Sequence, residues 1–477
     1  MQFTLPLSGG DGPLFEQVYR GLREAILSSV FPGGERLPST RDLAEQLGVS
    51  RTVVLLAYDQ LLGEGFVEGR IGSGTYVSRS LGAFRPESSV KSAKLSLSRF
   101  GLSASATASE VNSLQRPSPP LRYDFAYGRS EIEIFPFEMW RRLLLRHARK
   151  VSVRELDYGP AAGNVALREA ITAHLRRSRA VVCDPLQIVI VNGSQQALDL
   201  IARVLIERGD RVAIEDPSYR GASELLRASG ARLHPVQVDR EGLNPARLPE
   251  EAQMAFVTPS HQFPTGAILP LPRRLALLEW AKRTHAVIVE DDYDGEFRYE
   301  GKPLESLQGL DTEGRVIYLG TFSRTVFSAL RIGYMVTPKS LLPAFTSAKW
   351  LCDRHTATLE QKALAEFIST GMYERHLRRV RRRNTSRREA LLDAIDRYLG
   401  GRVEVTGDGA GAHVVLWPNE SIAEEVVVTR AASQGVGVYG ISPYFLKCPS
   451  RPGIMLGYSR LKEADIREGI RRLSQAL

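Results

Sequence analysis

The residues best able to do chemistry in this chain lie in short groups between positions 192 and 334. Asn192-Gly-Ser-Gln-Gln-Ala-Leu198 follows the apolar run Gln187-Ile-Val-Ile-Val191 and opens a helical stretch. Free backbone N–H groups at such a helix start cradle a phosphate, with Ser194 and Gln195 pointing at it. Glu215-Asp-Pro-Ser-Tyr219 ends a second apolar run and carries Tyr219. Glu290-Asp-Asp-Tyr-Asp294 ends another and carries Asp291 and Tyr293. Gly320-Thr-Phe-Ser-Arg-Thr-Val-Phe-Ser-Ala-Leu-Arg-Ile-Gly-Tyr334 adds Thr321, Ser323 and Arg331, the hydroxyls and guanidinium of a phosphate clamp, and a second arginine, Arg324. Arg324 stays protonated, with a pKa above about 12. It is a fixed cation with five donors, and it cannot lose a proton and attack a carbonyl as a lysine does.

These groups need a scaffold. At 477 residues the chain exceeds a single core, which rarely grows past roughly 250–300 residues. A composition of 43% hydrophobic and 25% charged residues is that of a globular protein. No apolar run reaches the roughly 20 residues of a membrane span. The first residues lack the basic-then-apolar order of a signal peptide, so a cytoplasmic protein is expected. Cys183, Cys352 and Cys448 have no metal-ligand spacing, and no metal site is expected.

Net charge is +9, yet residues 1–80 carry 7 Arg, no Lys and 9 Asp or Glu. The densest basic run, Arg375 to Arg388, reads as a solvated helix face. Bulk charge alone does not identify a nucleic-acid partner.

From Tyr123 onward, apolar runs alternate with helical stretches: 187–191, 211–214, 254–257, 286–289 and 315–319. That alternation predicts an α/β domain with a mostly parallel sheet. Beyond about residue 345 come long helices, the strand His413-Val-Val-Leu-Trp417 and a terminal helix, which fits a smaller α+β lobe. Leu81 to Pro120 is rich in Ser and Ala, has no strong period and ends in Arg-Pro-Ser-Pro-Pro. It reads as a linker, flexible first and semi-rigid near the prolines.

Upstream of it, apolar Leu14, Val18, Leu22 and Ile26 predict a helix. Ser39 is placed to cap a second helix, Thr40 to Leu47, which Gly48 ends. Ser50 is placed to cap a third, Arg51 to Leu62, and Gly65 to Val77 reads as two short strands around a glycine-rich turn. Helix, turn, helix and β-wing is the order of a winged helix-turn-helix. The string Leu37-Pro-Ser-Thr-Arg-Asp-Leu-Ala-Glu-Gln-Leu-Gly-Val-Ser-Arg51, with Gly72-Ser-Gly-Thr-Tyr-Val77, resembles the GntR family of bacterial transcription factors over residues 12–78. The resemblance implies that Ser50, Arg51 and Thr52 begin the recognition helix in the major groove of operator DNA. It implies contacts from Ser39 and Arg41 on the preceding helix, and a wing tip with Arg70 and Gly72 near phosphate or the minor groove.

The later groups, in their order, resemble the fold type I aminotransferase domain that MocR-type regulators fuse to a GntR winged helix. That resemblance spans nearly the whole chain. It implies a winged helix at 12–78, a linker at 79–121, and at 122–477 an effector and dimerisation domain with a large α/β lobe and a small α+β lobe. It implies a pyridoxal phosphate (PLP) pocket. Ser194, Gln195, Thr321, Ser323 and Arg331 would hold its phosphate, Tyr219 would lie flat on the ring, Asp291 would pair with the pyridinium nitrogen, and Tyr293 would reach the phenolic oxygen. Such sites form at a dimer interface, so a homodimer is expected.

The chain departs from the pattern at three places. Arg324 stands where a lysine holds PLP as a Schiff base, which leaves no ordinary internal aldimine and no catalytic residue. Phe263, in Pro259-Ser-His-Gln-Phe-Pro-Thr-Gly266, replaces an asparagine that donates to the ring oxygen. Met455 stands where an arginine grips a substrate carboxylate. The expected protein is a DNA-binding regulator that senses PLP, a PLP–amino acid adduct or another anion without a covalent bond. A PLP-dependent aminotransferase and a ligand-independent DNA-binding scaffold are the alternatives.

Overall fold

The computed structural model describes the chain apart from residues 1–4, 6, 8–11, 81–95, 114–120, 129, 300–304, 421 and 448–450, and without the side chains of 108–113. Two compact units result, residues 1–96 and 97–477.

In the first unit, Val18, Leu22 and Ile26 fall on one face of α1 (Leu14–Leu27) and are buried. They meet Leu43 of α2 (Thr40–Leu47) and Val54, Ala57 and Leu61 of α3 (Arg51–Gly63). Each such side chain contributes about 1.5–3 kcal/mol when fully buried. Ser39 Oγ accepts from the Asp42 N–H at 3.2 Å, and Gly48 takes φ +66°, so α2 is capped at both ends as expected. Ser50 holds the N-cap position of α3, but its side chain makes no capping bond, unlike the expectation. Antiparallel β1 (Val67–Arg70) and β2 (Gly74–Val77) form the wing, and Val67 and Val77 close the core.

The second unit opens with a difference from the sequence reading. Within the expected linker, Arg99–Ser113 forms a helix, α4. Ala and Ser tolerate a helix without supplying an apolar stripe, so local pattern did not mark it. Next come β3 (Tyr123–Asp124), α5 (Phe137–Lys150), α6 (Val165–Ser178), β4 (Ile188–Val191) and α7 (Ser194–Leu205). β5 (Arg211–Asp216), α8 (Arg220–Ala228), β6 (Arg232–Asp239), β7 (Gly242–Leu243) and β8 (Ala252–Val257) follow. α9 (Leu271–Thr284), β9 (Val287–Asp291), α10 (Leu307–Leu310), β10 (Val316–Thr321) and β11 (Gly333–Val336) complete the large lobe's sheet region.

That sheet has the order β4-β11-β10-β9-β8-β5-β6-β7. Pairings from β10 through β9, β8 and β5 to β6 are parallel, while β11 runs antiparallel to both β10 and β4. β4 therefore points the same way as β10. The carboxyl ends of β4, β5, β8, β9 and β10 share one edge, where ligands sit in open α/β sheets. Helices cover both faces, so Ile188 to Val191 are all fully buried and read as an unbroken apolar run.

α11 (Leu342–Asp353), α12 (Thr358–Ser369) and the long α13 (Met372–Leu399) lead to the small lobe. There β12 (Val403–Thr406), β13 (His413–Pro418), β15 (Tyr439–Gly440) and β16 (Ile454–Gly457) make an antiparallel sheet ordered β12-β13-β16-β15. α14 (Glu424–Ser433) precedes β14 (Val436–Gly437), which pairs with β3, and α15 (Glu463–Leu473) ends the chain. α13 and α15 share a core with this sheet through Leu391, Ile395, Leu416, Leu456 and Ile470.

Candidate functional site

In the first unit, Ser39, Arg41, Ser50, Arg51, Thr52, Arg70 and Gly72 are all exposed. Arg51 Nε donates to Thr40 Oγ1 at 3.3 Å, which ties the start of α3 to α2. Tyr58 OH donates to the Pro38 carbonyl at 2.8 Å and fixes α3 against the preceding turn. Gly72 lies at φ +74°, a left-handed position in the tight wing turn, and Arg70 stacks 4.4 Å from the Tyr76 ring centre. Ile71, fully exposed, is an apolar wing-tip residue the sequence reading passed over.

In the second unit a cavity of about 700 Å³ opens at the carboxyl edge of the sheet. All nine residues singled out for a ligand pocket line it: Ser194, Gln195, Tyr219, Asp291, Tyr293, Thr321, Ser323, Arg324 and Arg331. Each lies at, or a few residues beyond, the end of a strand, except Arg331, which lies two residues before the start of β11. The sheet order brings them together although they are up to 137 positions apart.

One end is shaped for an anion. Gly193 takes φ +84° between β4 and α7, and a Cβ there would stand 2.8 Å from an Arg331 nitrogen. Arg331, itself left-handed at φ +53°, donates to the Asn192 carbonyl at 2.7 Å. Thr321 Oγ1 donates to Ser323 Oγ at 3.0 Å. Ser194 and Gln195, the first residues of α7, line the same cavity, and a helix start leaves N–H groups without helical partners. Behind it, Asp353 accepts from Asn192 Nδ2 at 2.8 Å and Gln196 Nε2 at 2.7 Å and pairs with the buried Lys349.

Tyr219 OH donates to Gln195 Oε1 at 3.2 Å, and Gln195 Nε2 donates to the Gly221 carbonyl at 2.9 Å. Asp291 is buried, and its Oδ1 has no hydrogen-bond partner among the described residues. Burial, reinforced by the charge of Asp292, pushes its carboxyl up to about 7. Tyr293 OH donates to the His261 carbonyl at 2.9 Å. Arg324 stacks 4.6 Å from the Tyr127 ring centre, and among the described residues its guanidinium makes no hydrogen bond. No lysine lines the cavity among the described residues. Lys302 lies outside them.

Phe263 sits in an aromatic group, 5.5 Å from Tyr127, 5.0 Å edge-on from Tyr444 and 5.9 Å edge-on from Tyr293. Met455 is buried in the same cluster. Arg451, the nearby cation, is turned to Glu404 at 2.6 Å and to the Trp417 ring at 4.5 Å. It does not line the cavity, and neither does Arg460.

Sequence reasoning missed Tyr127 and Tyr444 of the wall, and Phe100, Ala104 and Thr107 of α4. It also missed a buried group, His261, Asp294 and His413, whose donor atoms lie within 4.8 Å of one another. His261 Nδ1 is 3.1 Å from Asp294 Oδ2, and His413 Nε2 donates to the Pro264 carbonyl at 2.8 Å. Desolvation drives His413 well below the usual histidine range, so it is neutral. Spacings of 33 and 119 residues carry no motif; the one local signal was a histidine beside the tight loop at 259–266. No helix among the described residues is long and apolar enough to cross a membrane.

Residues 14–77 match the bacterial regulatory proteins of the gntR family, and residues 131–473 match aminotransferase class I and II. The chain is 40% identical to the probable rhizopine catabolism regulatory protein MocR of Rhizobium meliloti, over 98% of this chain and 94% of that protein. It is 30% identical to the HTH-type pyridoxine biosynthesis transcriptional regulator PdxR of Corynebacterium glutamicum, over 97% and 95%. Among solved structures, LysN of Thermus thermophilus is an alpha-aminoadipate aminotransferase complexed with N-(5′-phosphopyridoxyl)-L-leucine. It superposes with a TM-score of 0.69 at 31% identity, over 78% of this chain and 97% of that one. With a gntR-type helix-turn-helix ahead of a fold type I aminotransferase-like domain, and full-length similarity to regulators of the same build, the chain belongs to the MocR-type family of HTH-type transcriptional regulators.

Proposed function

We propose that residues 12–78 bind operator DNA and that the domain at 122–477 senses PLP, a PLP–amino acid adduct or a related phosphorylated anion without forming a covalent bond to it. The observation that carries this reading is Arg324 in the wall of a cavity lined by no lysine among the described residues. A guanidinium binds anions and does not act as an amine nucleophile. The protein is then a sensor and not a transaminase, cytoplasmic and dimeric.

The residues present fit the ligand. Asp291 Oδ1 is an orphaned buried acceptor, and a ring N–H would satisfy it. The Gly193 turn leaves room that a Cβ would fill, beside Arg331, Ser194 and Ser323. PLP, when bound, supplies an electron-withdrawing ring and an aldehyde. Tyr219 would cover one ring face, Arg324 would present donors toward its polar substituents, and Tyr293, whose hydroxyl is donated to the His261 carbonyl, would line the ring's edge beside Phe263. In the first unit, Ser50 has a hydroxyl not engaged in capping and available to a phosphate oxygen. Arg51 and Thr52 open the recognition helix, and Arg70 serves the wing.

The test is calorimetric titration of the cofactor-free protein with PLP beside Arg324→Lys, followed by borohydride and mass spectrometry. The expected result is PLP binding to the parent with no reducible link, and a link at residue 324 in the variant. A reducible link in the parent, or no binding to either, overturns the reading. DNA flanking the gene, titrated with and without PLP, tests the regulator half.

A further inference from the structure

Three buried side chains outside the cavity wall converge on one point. His261 lies in the tight loop after β8, Asp294 three residues beyond β9, and His413 begins β13 of the small lobe. Their donor atoms lie within 4.8 Å of one another, and none of the three residues is more than 2% exposed. His413 Nε2 donates to the Pro264 carbonyl, which leaves a lone pair on Nδ1. That Nδ1 is buried and has no hydrogen-bond partner among the described residues. Both nitrogens of His261 face acceptors, Nε2 the Gly407 carbonyl at 3.4 Å and Nδ1 the Asp294 Oδ2 at 3.1 Å. A positive centre at Nδ1 satisfies that arrangement. A proton there serves Asp294 alone, whereas a metal ion serves all three atoms, His413 Nδ1 included. Gly411, at φ +75°, keeps the donors uncovered: a Cβ there would stand 2.5 Å from His261 Nδ1 and 2.6 Å from Asp294 Oδ2.

We infer that His261 Nδ1, His413 Nδ1 and Asp294 Oδ2 bind one divalent transition-metal ion of the zinc type. Two imidazoles and one carboxylate suit zinc and not magnesium or calcium, which take oxygen donors. Zinc with bonds of about 2.0–2.1 Å sets neighbouring donors about 3.3 Å apart, close to the 3.1 Å between His261 and Asp294. The Pro264 and Gly407 carbonyls accept from the far nitrogens, the arrangement that orients metal-binding imidazoles. Burial leaves no approach for a substrate, so the ion is structural. It joins β13 of the small lobe to the loops after β8 and β9, and the Tyr293 hydroxyl, 3.1 Å from His261 Nδ1, carries its influence to the ligand cavity.

The test uses the full chain without PLP, with zinc and then cobalt as the metal. The parent, produced with zinc in the medium and dialysed, is expected to retain about one zinc per chain by elemental analysis. Zinc is expected to raise the midpoint of its urea unfolding. His413→Gln, which keeps a donor for Pro264, and Asp294→Asn are each expected to weaken zinc at least about a hundredfold and to lose that rise. The cobalt form is expected to show no thiolate charge-transfer band, which separates this site from Cys183, Cys352 and Cys448. No retained zinc, a thiolate band, or variants that hold zinc like the parent overturns the site. Should both variants fail to fold, X-ray absorption of the parent decides: two imidazoles on the metal uphold the site, and fewer overturn it. None of these outcomes bears on the PLP reading, which has its own titration.

Discussion

The guanidinium of Arg324 stands 4.6 Å from the ring centre of Tyr127. The ring's negative face holds the cation without using any of its five donors, and among the described residues none of these makes a hydrogen bond. Tyr127→Leu keeps the bulk and removes that hold. PLP affinity is expected to fall by about 0.5–2 kcal/mol, read by calorimetry. Unchanged affinity would mean that the stacking does not orient Arg324.

Asp291 ties ligand binding to pH. Its pKa rises on folding from 3.8 to about 7. Between these values the folded chain keeps the proton that the unfolded chain has lost, so stability falls as pH rises through that window and is lowest above it. Glu215 and Glu290, also pushed up to about 7 by burial, act with the same sign. Asp291→Asn removes one such charge. The unliganded variant is expected to be more stable than the parent at pH 8, by about 1–3 kcal/mol, with the gap narrowing as pH falls through 5 and closing below about 3.8. Its affinity for PLP is expected to drop more than about tenfold, because a charged partner for the ring nitrogen is gone. A variant that melts lower at pH 8 contradicts the assignment.

The turn at Gly193 is conformationally demanding. At φ +84° an alanine is strained, and its Cβ would press on Arg331 at 2.8 Å. Gly193→Ala is expected to weaken PLP at least about tenfold and to leave pyridoxal, which lacks the phosphate, little changed. Equal losses for both ligands would place the damage outside the phosphate end.

Beneath the site, Arg179 and Asp292 form a buried pair at 2.6 Å, and Tyr318 OH donates to the same carboxylate at 2.6 Å. Arg179→Met leaves that charge unpaired and is expected to destabilise the second unit by about 3–5 kcal/mol. Adding Asp292→Leu should restore part of the loss, as followed by denaturant unfolding. No recovery in the double variant would indicate a packing effect instead.

On the DNA side, Arg51→Ala is expected to reduce specific operator affinity by about 1–3 kcal/mol. Arg70→Ala, at the wing, should weaken all sequences alike and lower the salt slope by about one. Titrations at two salt concentrations separate the two. An Arg51 variant that binds like the parent would remove it from the reading surface.

The sequence by itself determined the local elements and the ends at which chemistry could occur. Ser39 and Gly48 bound a helix because a hydroxyl and a left-handed glycine satisfy its ends. Ser194, Tyr219, Asp291 and Arg324 were legible because each directly follows an apolar run that had to be a buried strand. Arg324 needed no structure to be read as a cation that cannot give up its proton. The strand order decided the rest. It put residues more than a hundred positions apart on one edge, which no spacing rule encodes. It left Asp291 Oδ1 buried without a hydrogen-bond partner among the described residues, brought Tyr127 under Arg324, and gathered His261, Asp294 and His413. Helix α4 was hidden most completely. Its Ser- and Ala-rich sequence has no apolar stripe of its own, and only packing on α8 makes Phe100 and Ala104 part of the cavity wall.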